Sequence, residues 1–416
     1  MRRTHLFVVS CCLLAAFAHQ LCGQTTALRF KAVVVGDGRV IPNGVVVVEG
    51  DKIRAVVRPT PGGAIPGGPD RIVDLTKYTA LPGLIDVHTH ITYSWDPASG
   101  TDPWRQPSKT KDETVLAARA NALHTLETGV TSIRDLGAGR YADVALRDSV
   151  AKGVWPGPRM FVAGVGVHRR RIKDATEVPA FVKTQVDSGA DVIKVHGSTG
   201  SGADVTGVQT LSFEEMKAVV DAARAAGKRV AIHSYGPDGA RDAVRAGATT
   251  LEHAIDIDDG TLSAMVRGGI YYVPTIDHNR FYAEYASDFH YTPAQVAALD
   301  SFRLRNIETA RRAFKAGVKF GMGSDAVFHG FGQNTRELAW YVQIGMTPTQ
   351  ALETATINGA AILGMEKSLG QIAPGYSADV VGVEGDPLRD IAAVINGVRW
   401  VMKGGQVVIN QAAKSK

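Results

Sequence analysis

The hydrophobic positions of this chain follow two different rhythms. From Leu28 to Val57 they form short β-branched runs: Ala32-Val33-Val34-Val35, Gly44-Val45-Val46-Val47-Val48 and Lys52-Ile53-Arg54-Ala55-Val56-Val57. Gly-Asp and Glu-Gly-Asp turns split the runs, which reads as strands. Pro59 to Pro69 is a Gly/Pro loop. The far end repeats the pattern at 378–383, 394–402 and 406–409. Two β-rich ends around one middle predict a small β-sandwich built from residues 24–79 and 366–416.

Between them, residues 80–365 alternate apolar runs with amphipathic stretches. The runs predict strands at 84–87, 131–134, 160–163, 191–195, 230–232, 250–252, 271–273 and 318–322. The 3.6-residue pattern predicts helices at 112–127, 213–226, 239–246, 293–316 and 347–358. Eight β/α repeats over about 290 residues match the size of a (β/α)8 TIM barrel. The predicted class is therefore α/β, with functional groups at the C-terminal ends of the strands.

Those ends carry metal chemistry. Leu81-Pro82-Gly83-Leu84-Ile85-Asp86-Val87-His88-Thr89-His90 is a Pro-Gly turn, an apolar strand and His-x-His. Side chains alternate along a strand, so His88 and His90 share a face, which is half of a metal site. The alternative is a pair of buried histidines with ordinary hydrogen bonds. Later strands end in Lys194-Val195-His196, Ile232-His233, Glu252-His253 and Ser324-Asp325, a set that can bind a divalent ion or carry a proton. A lysine ammonium among metal ligands is electrostatically hostile. Lys194 fits as a CO2-derived carbamate (N6-carboxylysine) bridging two cations, or else as a lysine paired with Asp191 or Glu252.

Composition narrows the class. The chain has 416 residues, 45% hydrophobic and 21% charged, with formal net charge +5. That describes a globular protein with a sizeable core, and no Lys/Arg run is long enough to suggest nucleic acid. Arg2-Arg3, the apolar stretch Leu6 to Ala18 and the small residues after it read as a signal peptide over 1–23. The expected location is periplasmic or extracellular, with no transmembrane segment left after cleavage. Cys11, Cys12 and Cys22 all lie there, so no intrachain disulfide is expected. Leu21 before Cys22 fits a lipidation site poorly. A homo-oligomer is compatible with all of this.

Together these motifs resemble the amidohydrolase superfamily, in its binuclear subtype with a carboxylated lysine. The likeness includes Gly129-Val130-Thr131-Ser132-Ile133-Arg134-Asp135, Ile193-Lys194, Leu251-Glu252-His253-Ala254 and Gly323-Ser324-Asp325. It extends through Thr354 to Ala360 and Gly370 to Asp379. The branch it is most similar to is imidazolonepropionase-like and contains Xaa-Pro and Xaa-Arg/Lys dipeptidases. The resemblance implies two divalent ions, zinc being the expected metal. His88, His90, Lys194 and Asp325 would hold the first, and Lys194, His233 and His253 the second. It further implies a metal-bridging hydroxide with Asp325 as catalytic base and acid, and Tyr235 on the developing oxyanion.

The implied substrate is a small molecule, first a dipeptide. His168 and Arg169, with Arg170, follow the third strand and are the candidate clamp for its carboxylate, with Arg280 as rival. His196 is placed near the substrate, and residues 197–207 read as a mobile loop. His278, His290 and His329 carry no pattern and read as ordinary. A hydrolase of cyclic or N-acyl amides is the alternative enzyme. A silent binding protein is disfavoured by the intact ligand set.

Overall fold

The computed structural model describes residues 24–58, 65 and 68–411. The expected signal peptide and its cysteines lie outside the described residues, as does most of the Gly/Pro loop. At the N-terminal end, β1 (Thr25–Val34), β2 (Val40–Pro42), β3 (Val45–Glu49), β4 (Lys52–Val57) and β5 (Arg71–Pro82) follow one another. β1 and β5 pair in parallel, while β1 pairs with β2 and β3 antiparallel. β5 runs to Pro82, past the boundary expected at residue 79.

The middle holds seven parallel strands: β6 (Leu84–Thr89), β7 (Val130–Asp135), β8 (Arg159–Val162), β9 (Val192–His196), β10 (Arg229–Ser234), β11 (Thr250–His253) and β12 (Tyr271–Val273). All six positions of β6 and of β7 are buried, the pattern of parallel strands covered on both faces. The covering helices begin with α1 (Lys111–Glu127), α2 (Ala142–Ala151), α3 (Val178–Asp187), α4 (Phe213–Ala225), α5 (Pro237–Ala246) and α6 (Asp259–Gly268). α7 (Ile276–Glu284), α8 (Pro293–Lys315), α9 (Glu337–Gln343), α10 (Pro348–Thr354), α11 (Ile357–Leu363) and α12 (Ala392–Asn396) follow. Reciprocal side-chain caps fix several starts, including Thr110 with Glu113, Ser212 with Glu215 and Thr292 with Gln295.

The strands divide into two sheets, β6-β7-β8 and β9-β10-β11-β12. Backbone bonds join them on one side, where Asp191 N–H donates to Val162 O at 2.7 Å and Val167 N–H to Lys194 O at 2.8 Å. On the other side the eighth run, expected as a strand at 318–322, is irregular. It still bonds both neighbours: Tyr272 N–H donates to Lys319 O and Val87 N–H to Met322 O, each at 2.8 Å. Gly321 and Gly323 sit in this run where side chains of the neighbouring elements pack too closely for a Cβ. A Cβ on Gly323 would fall 2.4 Å from Val273 Cγ1 and 2.8 Å from His88 Cβ.

β13 (Val380–Val383), β14 (Val398–Lys403) and β15 (Gln406–Asn410) return to the first sheet, β13 pairing with β5. Strands from both chain ends thus share one hydrogen-bonded sheet of eight, and Val46 and Val48 of β3 pack in one core with Trp400 and Met402 of β14. β1 pairs with β2 and β3 along one edge and β5 along the other, and β5 links this half to β13. Phe30 packs edge-on against Trp400, a contact between the two chain ends, with centroids 6.2 Å apart. The helix expected over 347–358 is instead two, α10 and α11. The hydroxyls of Thr354 and Thr356 donate to the carbonyls of Ala351 and Leu352, competing with the backbone where the helix breaks.

Candidate metal centre

Strand alternation sorts the middle strands into two faces. Ile193, Val195, Val230, Ile232 and Leu251 pack outward into the main helix-covered core. Their neighbours Val192 and Ala231 meet Leu136 and Ala163 in a small inner layer. Lys194 and His233 lie one step further along that inner face, and register sets Lys194 against Ala231 and His233 against Glu252. The apolar layer is a floor, and the polar side chains stand on it at the C-terminal strand ends.

Above the floor, one ring nitrogen each of His88 and His90 and a carboxylate oxygen of Asp325 converge within 4.8 Å of one another. His88 Nε2 lies 3.4 Å and His90 Nε2 3.3 Å from Asp325 Oδ1. Both rings are oriented from behind. Nδ1–H of His88 donates to Glu252 Oε2 at 2.7 Å, and Nδ1–H of His90 to the Gly137 carbonyl at 3.2 Å. These bonds leave each Nε2 lone pair free, as metal ligation requires. Burial holds both imidazoles below the usual histidine range, and therefore neutral. Two neutral imidazoles and a carboxylate fit a divalent cation.

Lys194, His233 and His253 join this group. Lys194 Nζ is 3.5 Å from His88 Nε2, and the rings of His253 lie 4.8 Å from His88 and 4.6 Å from His233. His233 Nε2 is buried with no hydrogen-bond partner among the described residues, as an unfilled ligand atom would be. Nδ1 of His253 meets Thr275 Oγ1 at 2.7 Å. Neither carboxylate expected as a partner forms an ion pair with Lys194: Glu252 is bonded to Arg134 at 2.9 Å and Asp191 to Arg147 at 2.8 Å, although the Glu252 charge still acts on the amine. Burial lowers the Lys194 amine to about 8.

Backbone conformation aims several of these groups. His253, Thr275 and Asp325 all have positive φ (69°, 49° and 49°), uncommon for non-glycine residues and typical of functional strand ends. Asp325 N–H donates to His88 O at 2.7 Å. Beneath it, Asp86 accepts from Ser324 N, Ser324 Oγ and Asn334 Nδ2 at 3.0, 2.5 and 2.9 Å, tying β6 to the Ser324-Asp325 turn. Burial raises the Asp325 carboxyl to about 6.

One histidine read as ordinary belongs to the site. His278 Nε2 lies 3.1 Å from Asp325 Oδ2. It sits in the first turn of α7, swung inward by the left-handed Thr275. Of the expected substrate residues, Tyr235 is buried and stacked on His233 at 5.0 Å, and burial holds its hydroxyl protonated. His196 lines the pocket. His168 stands behind it, ring centroids 5.7 Å apart. Arg169 is not brought to the site. Its guanidinium is taken by Glu215 and by the carbonyls of Lys173 and Thr210. Arg280 is likewise held by Asp277 and Glu284. The pocket over the ligands, counted with its open mouth, has a volume of about 520 Å³.

The chain is similar to proteins of known activity. Over 92% of the chain and 86% of the other protein, it is 29% identical to ochratoxinase of Aspergillus niger. It is 26% identical to imidazolonepropionase of Symbiobacterium thermophilum, over 83% and 84% of the two chains. Among solved structures, a Xaa-Pro dipeptidase with methionine bound in its active site superposes with a TM-score of 0.82 at 29% identity, covering 92% of this chain and 99% of that one. The amidohydrolase family profile matches residues 79–408, and the chain belongs to that family of hydrolases.

Proposed function

We propose that this protein is an exported hydrolase of C–N amide bonds that works with two divalent ions, zinc suiting its nitrogen-rich donors. The convergence of His88 Nε2, His90 Nε2 and Asp325 Oδ1 carries the reading. These residues and a carbamate on Lys194 would hold one ion, and the carbamate, His233 and His253 would hold the other. A buried amine near 8 has a neutral fraction at physiological pH that can take up CO2. The bonds linking the two middle sheets on both sides support closure into a (β/α)8 barrel around this centre. The barrel is read over residues 80–365, with 24–79 and 366–416 as the accompanying β domain. Export rests on the Arg2-Arg3 start and the apolar run behind it.

Bound divalent ions acidify water and polarise a carbonyl. The chain's own residues do the rest. Asp325, at the mouth of the strand ends beside His88 and His90, is placed to take a proton at Oδ and return it to the leaving nitrogen. His278 and the Asp325 backbone bond fix that carboxylate. Tyr235 keeps its proton and can donate to the carbonyl oxygen as it gains charge. The apolar floor excludes water from below.

The structural likeness to a Xaa-Pro dipeptidase supports dipeptides, of Xaa-Pro or Xaa-Arg/Lys type, as the first substrate class. The commitment of Arg169 and Arg280 elsewhere favours N-acyl amides as a second. The test is a mass-spectrometric screen of zinc- and bicarbonate-treated protein against dipeptides, N-acyl amino acids and cyclic amides. Release of free amino acids from one class supports the reading. No turnover by protein shown to hold two metals refutes it.

A further inference from the structure

The ligands occupy only the deep end of the pocket, and its outer half is built of rings. Tyr93, Trp104, Tyr282 and Val327 line it, facing Gly200 and Ser201. Trp104 stacks on Tyr282 with centroids 6.2 Å and planes 27° apart, and stands edge-on to Phe328 at 5.0 Å. Its indole N–H donates to the Tyr291 hydroxyl at 3.3 Å. Tyr93 reaches inward to within 4.9 Å of His90, ring to ring. The facing loop comes down on the same wall because Gly202 has no side chain. A Cβ there would fall 2.6 Å from the Tyr291 hydroxyl and 3.5 Å from the indole.

Trp104 is nonetheless 44% exposed. A large ring, held by its neighbours and left uncovered at the mouth of a polar site, is a surface that a ligand ring covers with gain. Charge points the same way. Among the described residues, Lys194 is the only lysine lining the pocket, and no arginine lines it. A carboxylate in the outer half would lose water without gaining a cation.

We infer that the outer half of the pocket is a subsite for a neutral aromatic group. The preferred substrate is then an amide whose acyl side carries a ring toward the mouth, an aroyl or arylalkyl-acyl amide, in preference to a small zwitterionic dipeptide. This rests on the amide-hydrolase reading and narrows it.

The experiment pairs N-(2-naphthoyl)-leucine with N-acetyl-leucine, for the wild type, Trp104→Ala and Trp104→Phe. Hydrolysis is measured on metal-loaded protein, and binding of the naphthoyl compound by fluorescence anisotropy on metal-free protein. The expected result is a kcat/KM preference of at least about tenfold for the naphthoyl amide. Trp104→Ala should remove most of it, and Trp104→Phe should restore part. Equal turnover of the two compounds, or a preference indifferent to Trp104, overturns the inference and leaves the hydrolase reading intact. Trp104-dependent binding with neither compound cleaved supports the subsite and counts against the hydrolase reading. Absence of both binding and turnover overturns the two together.

Discussion

Glu252 Oε2 lies 2.7 Å from His88 Nδ1 while Glu252 Oε1 lies 2.9 Å from Arg134 Nη2, and all three side chains are buried. Glu252 therefore does two things at once: it balances a buried guanidinium and fixes the tautomer of His88. Glu252→Gln keeps the shape and loses the charge. Its amide cannot satisfy both partners, because the N–H2 end must face either Arg134 or the His88 N–H. Divalent-metal affinity is expected to fall about 10- to 100-fold, read by chelator competition. Stability is expected to fall by about 3–5 kcal/mol, read by chemical denaturation. A variant with wild-type metal affinity would show that His88 needs no such support.

Gly323 governs the approach of the irregular eighth segment to β6. Alanine there puts a methyl 2.4 Å from Val273 and 2.8 Å from His88 Cβ, in a place with no room to yield. Gly323→Ala should lose about 1–3 kcal/mol of stability from overpacking. It should also displace His88 enough to weaken metal binding. Gly317→Ala is a comparison that lacks the steric effect: its glycine has a positive φ (86°), and a Cβ there would meet nothing within 4 Å. It should therefore pay only the backbone term and bind metal normally, which metal titration of the two variants will decide.

The carboxylation proposed for Lys194 would make the site depend on CO2 as well as metal. Protein stripped of metal and bicarbonate at low pH and reloaded with zinc alone in CO2-free buffer should regain activity slowly and incompletely. Added bicarbonate should speed recovery. A 13C-bicarbonate label should appear in one carbamate resonance that Lys194→Arg abolishes. Full recovery without bicarbonate would mean that the unmodified amine suffices.

Asp325 is proposed to act both as a ligand and in proton transfer, and Asp325→Asn separates the two. The amide oxygen can still ligate, and the amide cannot take a proton. A kcat lower by about 10²- to 10⁴-fold is expected, the usual size of a general-base contribution, with metal content reduced far less. Loss of metal in proportion to loss of rate would assign Asp325 to ligation alone.

How much of this was legible in the sequence follows from what sets each feature. His88, Lys194 and His233 were readable because a two-residue period and a strand end fix where a side chain points. Helix starts were readable where a cap and its partner are three residues apart, as at Thr110 and Glu113 or Ser212 and Glu215. His278 was hidden because its direction depends on the left-handed turn at Thr275, which threonine does not announce. Arg169 misled because Glu215, 46 residues away in sequence, captures it. That the two β-rich chain ends join was readable from their matching pattern, whereas the strand order, with β13 on β5, is a long-range choice that local pattern does not encode.

Glu337 gives the clearest pH signature away from the metal ligands. Its carboxyl is fully buried at the start of α7, where Ile276 N–H and Asp277 N–H donate to it at 2.9 and 2.8 Å. Burial outweighs these bonds and raises it from 4.5 to about 8. The folded state thus keeps a proton that the unfolded chain releases near 4.5. Stability from this group is full below about pH 4.5 and is lost as pH rises towards 8, because in that window the folded state binds more protons. Glu337→Gln carries no such proton, so its unfolding free energy should lack this downward slope, even if the variant is less stable throughout from losing one acceptor. Urea titrations at a series of pH values between 5 and 8.5, on metal-free wild type and variant, check it. Parallel curves for the two proteins would mean that Glu337 is ionised in the fold, its two backbone donors having outweighed its burial.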